Sequence, residues 1–228
     1  MTSLPRLTKV YLALVAFSVI GSLFSHLFRF NPGPIAPVAA LLTLLSGVAA
    51  VFAPLFAIDR DRTVKGLFAV AALGAVAELI GSKTGIPFGR YRYTDAWWPT
   101  FGLPGGERFP IQVPFAWALL VGAATVGVGG SYRFWPRVLL SASVASLCDL
   151  VLEPSLSGSM GYWQWLEHGP LPGSVPVLNS CGWFLVSAVG AAILISLQLG
   201  SPDDRYNSRV VLVAHVLLVA SIGGILSG

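Results

Sequence analysis

Residues 35–58 read IAPVAALLTLLSGVAAVFAPLFAI, an apolar run without one charged side chain. As a helix rising about 1.5 Å per residue this run reaches roughly 36 Å, enough to cross the hydrocarbon core of a bilayer, about 30 Å thick. Comparable windows fall at 8–28, 63–82, 109–129, 137–154, 176–199 and 209–227. The expected fold is therefore all-α: a polytopic integral membrane bundle of about seven transmembrane helices, with residues 1–228 forming a single transmembrane domain. Composition points the same way. Of 228 residues 55% are hydrophobic and only 11% charged, at a mean hydropathy of +0.76, whereas a soluble domain carries about 25% charged residues. Such a chain is neither a soluble globule nor disordered, and two cysteines, Cys148 and Cys181, do not make a disulfide scaffold. The net charge of +4 comes from scattered Lys and Arg rather than a basic stripe, which excludes a nucleic-acid partner. Membrane lipid is the expected surrounding of the apolar faces, with the basic residues at headgroups.

The first window lacks a small-x-small cleavage site and is expected to be retained as a helix. The N-terminus and loops 2/3, 4/5 and 6/7 hold nine basic residues: Arg6, Lys9, Arg60, Arg62, Lys65, Arg133, Arg137, Arg205 and Arg209. The opposite side holds Arg29, Lys83, Arg90, Arg92 and Arg108. The positive-inside rule then gives a multi-pass cell-membrane protein with a cytoplasmic N-terminus and loops 3/4 and 5/6 outside.

Polar chemistry collects at that outer side. Helix 3 carries Glu78 near its outer end, helix 5 carries Asp149 and Glu153 near its own, and helices 4 and 6 start there with Gln112, Trp117, Asn179 and Trp183. Asp149 and Glu153, four apart, face the same way on a helix. Two carboxyl groups so close in a poorly solvated place are not both ionised, and one neutral acid beside one carboxylate is a proton-transfer pair. The alternative is that both reach the headgroups through a helix break at Pro154 and pair with Arg90 or Arg92. Six of the seven Trp, all but Trp135, lie at or beside loops 3/4 and 5/6, with Tyr91, Tyr93 and Tyr162. An aromatic belt would populate both interfaces about equally, so the imbalance favours an aromatic-lined pocket. The Gly/Pro-rich residues 84–93 read either as a surface turn or as a lid turning its tyrosines inward, because non-helical backbone at membrane depth survives where it lines a cavity. His26, His168 and His215 share no ligand spacing, and His215 reads as a helix-packing residue, so no metal is expected. The chain also lacks a G-x-S-x-G nucleophile elbow, and none of Lys9, Lys65 and Lys83 stands mid-span to carry a retinal.

Glu78, then Thr84-Gly85-Ile86-Pro87-Phe88-Gly89-Arg90-Tyr91-Arg92-Tyr93, then Pro110, Pro114 and Trp117, then Asp149 to Pro154, Gly161-Tyr162-Trp163-Gln164-Trp165 and Asn179 to Trp183 form a series of motifs. Over about residues 75–190 the series resembles the membrane carotenoid-biosynthesis proteins that include the carotenoid 1,2-hydratases, acting on gamma-carotene-like or bisanhydrobacterioruberin-like substrates. It departs from that pattern at Glu153, where Asp is frequent. The resemblance implies a hydro-lyase without cofactor, adding water across the terminal C1=C2 bond of an acyclic carotenoid end group to give a tertiary alcohol. Glu78, Asp149 and Glu153 would be its catalytic acids, and Tyr91, Tyr93, Trp117, Trp163, Trp165, Asn179 and Trp183 would line the substrate site. Other carotenoid-pathway enzymes are implied as partners. The residue chemistry fits: protonating C2 puts positive charge on tertiary C1, which aromatic faces attract and water then captures. Acid and base are not distinguished by spacing. A cofactor-independent carotene cyclase would use the same residue types, and a non-catalytic carotenoid- or lipid-binding protein could use the same groove.

Overall fold

The computed structural model describes residues 4–31, 33, 35–130, 132–199 and 202–227. Its helices are α1 (Arg6–Leu27), α2 (Ile35–Ile58), α3 (Arg60–Thr84), α4 (Val113–Val128), α5 (Phe134–Glu153), α6 (Val177–Ser196) and α7 (Pro202–Ser227). Among the described residues, six are long and apolar enough to cross a membrane, and the all-α bundle follows the hydropathy windows closely. The exception is α4, whose 16 residues reach only about 24 Å. It is the most enclosed of the seven, packed against α2, α3, α5, α6 and α7 with 12 of its residues buried. A short helix leaves its last carbonyls inside the bundle, where water cannot satisfy them. Arg209 Nε donates to the Gly127 carbonyl at 2.8 Å and Arg137 to that of Thr125 at 3.4 Å, cations where the helix dipole is negative.

Peripheral α1 buries Thr8 and Tyr11 and turns residues such as Phe17 and Ile20 outward. In lipid the hydrophobic effect does not drive one helix onto another, so packing and buried hydrogen bonds must hold it. Thr8 donates to the Asn207 side-chain oxygen, and Asn207 Nδ2 donates to the Ala50 carbonyl at 2.8 Å, linking α1, α7 and α2. Asp59 caps α3 by accepting from Arg62 N, and Gly85 ends it in the left-handed region at φ 79°, where a Cβ would be strained.

Three features differ from the sequence expectation. Pro154 does not break α5; residues Pro154–Ser159 continue it as a π-helical turn with Met160 N donating to Ser155 O at 2.8 Å. Proline suits the first position of a helical segment because its fixed φ is already helical, and Pro154 stands where the wider turn takes over from the ordinary ladder. Helix α7 starts at Pro202, seven residues before its apolar window, for the same reason and because hydropathy does not register a polar first turn. The third is that loops 3/4 and 5/6 contain strands: β1 (Tyr91–Tyr93) pairs antiparallel with β4 (Trp163–Trp165), and β2 (Thr100–Gly102) with β3 (Arg108–Pro110).

Candidate active site

The β1–β4 ladder builds one wall. Its register sets Tyr91 opposite Trp165, Arg92 opposite Gln164 and Tyr93 opposite Trp163. Side chains alternate along a strand, so Y-x-Y and W-x-W turn all four rings to one face. Arg92 and Gln164 occupy the other face, exposed and hydrogen-bonded at 3.2 Å. This small sheet closes the end of the bundle where α3, α5 and the starts of α4 and α6 meet.

Beneath it lies a cavity of about 60 Å³, space for a few waters or the narrow end of a hydrocarbon chain. Its lining includes Glu78, Tyr91, Tyr93, Trp117, Asp149, Glu153, Trp163, Trp165, Asn179 and Trp183, so all ten residues singled out from the sequence come together. Glu78, Asp149 and Glu153 are 7%, 2% and 1% exposed. Among the described residues none of the three forms an ion pair, with Arg90 or Arg92 or any other cation, and Arg92 pairs with Gln164 instead.

Neutral donors hold the three acids instead. Both oxygens of Glu78 are engaged: one accepts from the hydroxyls of Tyr91 and Tyr93, the latter at 2.8 Å, and the other from Trp117 Nε1 at 3.1 Å. On Glu153 a single oxygen takes both indole donors, Trp163 and Trp165, at 2.8 Å each. On Asp149 one oxygen accepts from Asn179 Nδ2 at 2.9 Å. No indole or amide among the described residues reaches the remaining oxygen of Glu153 or of Asp149; the Ser157 hydroxyl, which donates to the Glu153 carbonyl at 2.9 Å, also stands beside the Glu153 carboxyl group. Asp149 and Glu153 face the same cavity, as the i, i+4 spacing leads one to expect, and no hydrogen bond joins them directly. Among the described residues no three His, Cys, Asp or Glu side chains gather with metal-holding geometry. The acids ring the cavity rather than meeting at one point.

Trp117 and Trp183 stack at 3.8 Å between centroids and 10° between planes. Glycines make the space: a Cβ at Gly74 would lie 2.2 Å from Trp117 Cγ, and one at Gly182 would lie 2.6 Å from the Phe88 ring. Burial and then the neighbouring Glu78 charge push the Tyr91 and Tyr93 phenols well above the ordinary range, so both remain neutral donors at any physiological pH. Burial likewise pushes Tyr162, stacked on Trp97 at 5.3 Å, up to about 12.

Trp97, one of the six tryptophans expected at a pocket, also lines the cavity, and so do Phe88 and His215, which the sequence does not single out as lining residues. Phe88 lies within the G-x-P-F-G string, where a buried aromatic between two glycines was the available signal. For His215 there was none, since α7 reads as uniformly apolar. Cys148 and Cys181 are unpaired, the second exposed. Trp135 stands at the opposite end of the bundle, 68% exposed.

A family model described as carotenoid biosynthesis protein matches residues 38–227, which takes in the motif-bearing residues 75–190 together with α2 and α7. No curated protein and no solved structure matches. With nearly the whole chain covered, six helices able to cross a bilayer and the motifs converging on one cavity, this multi-pass membrane protein belongs to the carotenoid biosynthesis protein family and takes part in making carotenoids.

Proposed function

We propose that the protein is a carotenoid 1,2-hydratase, a hydro-lyase that adds water to the terminal C1=C2 bond of an acyclic carotenoid end group without a cofactor. The observation that carries this reading is the pairing of two carboxyl oxygens that the indoles and the amide leave open, on Glu153 and Asp149, with stacked indoles in a buried cavity that has no Lys, Arg or Cys among its described lining residues. A carbocation formed there meets aromatic faces and carboxylate charge, and no amine or thiol to trap it.

Asp149, with one amide donor, carries the proton, and Glu153, with two indole donors on one oxygen, carries the negative charge. The Asp149 O–H bond breaks as the π electrons of C1=C2 form a C2–H bond, leaving the cation on C1. Water attacks C1 and gives one proton to Glu153, so that one water is added and the two acids have exchanged roles until the proton returns. Glu78, with both oxygens engaged by neutral donors, supplies negative charge and locks Tyr91, Tyr93 and Trp117 in place. Residues 1–228 act as one transmembrane unit with a cytoplasmic N-terminus, and the product passes to enzymes that modify hydroxylated carotenoids.

The test is expression in a host that accumulates an acyclic carotene. A product heavier by one or two waters, with its oxygen drawn from labelled water under anaerobic conditions, is the expected result. Label from oxygen gas would reject hydration in favour of hydroxylation, and an isomer of unchanged mass would identify a cyclase. Carotenoid retention without turnover would leave a binding protein.

A further inference from the structure

His215 lies on α7 among apolar residues, yet its ring reaches the cavity. Its depth follows from the packing of α7 on α5, which run in the same direction. At Gly223 the two come close enough that a Cβ would lie 2.1 Å from Ser155 Oγ. Counting back, His215 is about 12 Å below that contact along α7 and Asp149 about 9 Å below it along α5. His215 is therefore deep in the cavity, less than one helical turn below Asp149 and about 9 Å below Glu153 along the axis, a span that the Glu153 and His215 side chains share with whatever is held between them.

Tyr11 of α1 engages the other ring nitrogen. The Tyr11 hydroxyl stands 3.4 Å from the Val211 carbonyl and 3.3 Å from His215 Nδ1. Assigning the phenol proton to the Val211 carbonyl leaves Nδ1 to donate its own hydrogen to the Tyr11 oxygen. Nε2 is then the bare acceptor. Tyr11 is not part of the cavity wall, so the ring edge turned away from it, carrying Nε2, is the edge on the cavity side.

Resting on the hydration reading, we propose that His215 is the water-positioning residue: Nε2 accepts one hydrogen of the attacking water while the free oxygen of Glu153 accepts the other. With both hydrogens engaged, the water has only a lone pair to offer, and that lone pair faces C1. When the O–C1 bond forms, the hydrogen held by Glu153 leaves as the proton and the hydrogen held by His215 stays as the alcohol O–H. Positioning of this kind separates capture from protonation, so losing it slows the second step and spares the first.

The experiment follows both steps in heavy water, in membranes holding equal amounts of folded protein. Protonation and its reversal place deuterium in the end group of unreacted substrate, and capture gives the alcohol. For His215→Leu the expected result is about tenfold or greater loss of alcohol with deuterium exchange kept at or above the wild-type rate. His215→Gln, which keeps an acceptor, restores part of the capture. Tyr11→Phe, outside the cavity, releases the tautomer and gives an intermediate loss, which keeps the proposal testable should the leucine variant fail to fold. Exchange and alcohol falling together in all three variants, or neither falling, overturns the assignment and returns His215 to helix packing. Absence of both in the wild-type protein overturns the hydration reading itself, and the role of His215 falls with it.

Discussion

The two ends of α3 treat their carboxylates in opposite ways. At its start Asp59 caps the helix and meets Arg62 at 3.2 Å, and Asp61 meets Lys65 at 3.2 Å, with side chains 39% and 88% exposed. Near its end Glu78 is buried, and everything that bonds its side chain is neutral: two phenols and an indole. Water and counterions do most of the work for the first pair, and an exposed ion pair is worth only about 0–1 kcal/mol. Glu78 has no such help. A cage of neutral donors holds its carboxyl group without a counterion, as do the donors around Asp149 and Glu153. Compensated acids serve the helix, whereas uncompensated acids can act on something else.

The largest effect expected from this contrast is at the acids themselves. Asp149→Asn and Glu153→Gln keep shape and remove the titrating oxygen, and turnover of an acyclic carotenoid should fall about 10²- to 10⁴-fold. Glu78→Gln should fall comparably and lower the folded yield, because an amide facing three donors leaves some unpaired at about 1–3 kcal/mol each. Asp61→Asn should stay within about twofold of wild type. Equal losses at Asp61 and Asp149, measured at matched protein levels, would erase the distinction.

A second comparison sets Trp117 and Trp183, stacked at the cavity, against Trp135 at the other end. Removing one ring beside a desolvated cation forfeits about 2 kcal/mol, so Trp117→Leu or Trp183→Leu should slow product formation roughly tenfold to a hundredfold, and Trp135→Leu should not. Gly74→Ala sharpens the point without touching the cavity, since its Cβ would overlap Trp117 and must displace the stack. Its loss should resemble that of Trp117→Leu, while Gly21→Ala, with nothing within 4 Å, should match the wild type.

The smallest effect is in alkaline titration. Tyr91, Tyr93 and Tyr162 hold their protons above the value of about 10 that a free phenol has. A group whose folded pKa is raised contributes stability that is complete below the unfolded value and is lost as pH rises through the folded one. Thermal stability in detergent should therefore be level up to about pH 10 and decline above it, and tyrosinate absorbance from these three of the six tyrosines should emerge only with unfolding. Three phenols that ionise near pH 10 in the intact bundle would mean that the loops are open to water.

Much of the site was legible because it sits on helices of known direction. Placing Glu78, Asp149, Asn179 and Trp183 at one depth needed only the order of spans and a rise of 1.5 Å per residue. The alternating Y-x-Y and W-x-W strings carried the period of a strand, but each is three residues long, too short to stand as a strand before its partner is known. Their pairing across about 70 residues is a tertiary fact. The continuation past Pro154 was hidden because proline interrupts the ordinary helical ladder, and only the surroundings decide whether a wider turn replaces it.

By itself the sequence determined the solvent, the number of helices and the depth at which the acids lie, since these depend on hydropathy, charge and length, which are additive along a chain. Only the tertiary structure decided which donors hold each acid, which carboxyl oxygens are left free, that α4 is enclosed by its neighbours, and that His215 reaches the cavity from a helix that reads as packing. Those depend on helix rotation and on contacts between residues as far apart as Tyr11 and His215. A helix that is apolar all round carries no pattern of its own to say which face turns inward, so its rotation is set by the neighbours it packs against.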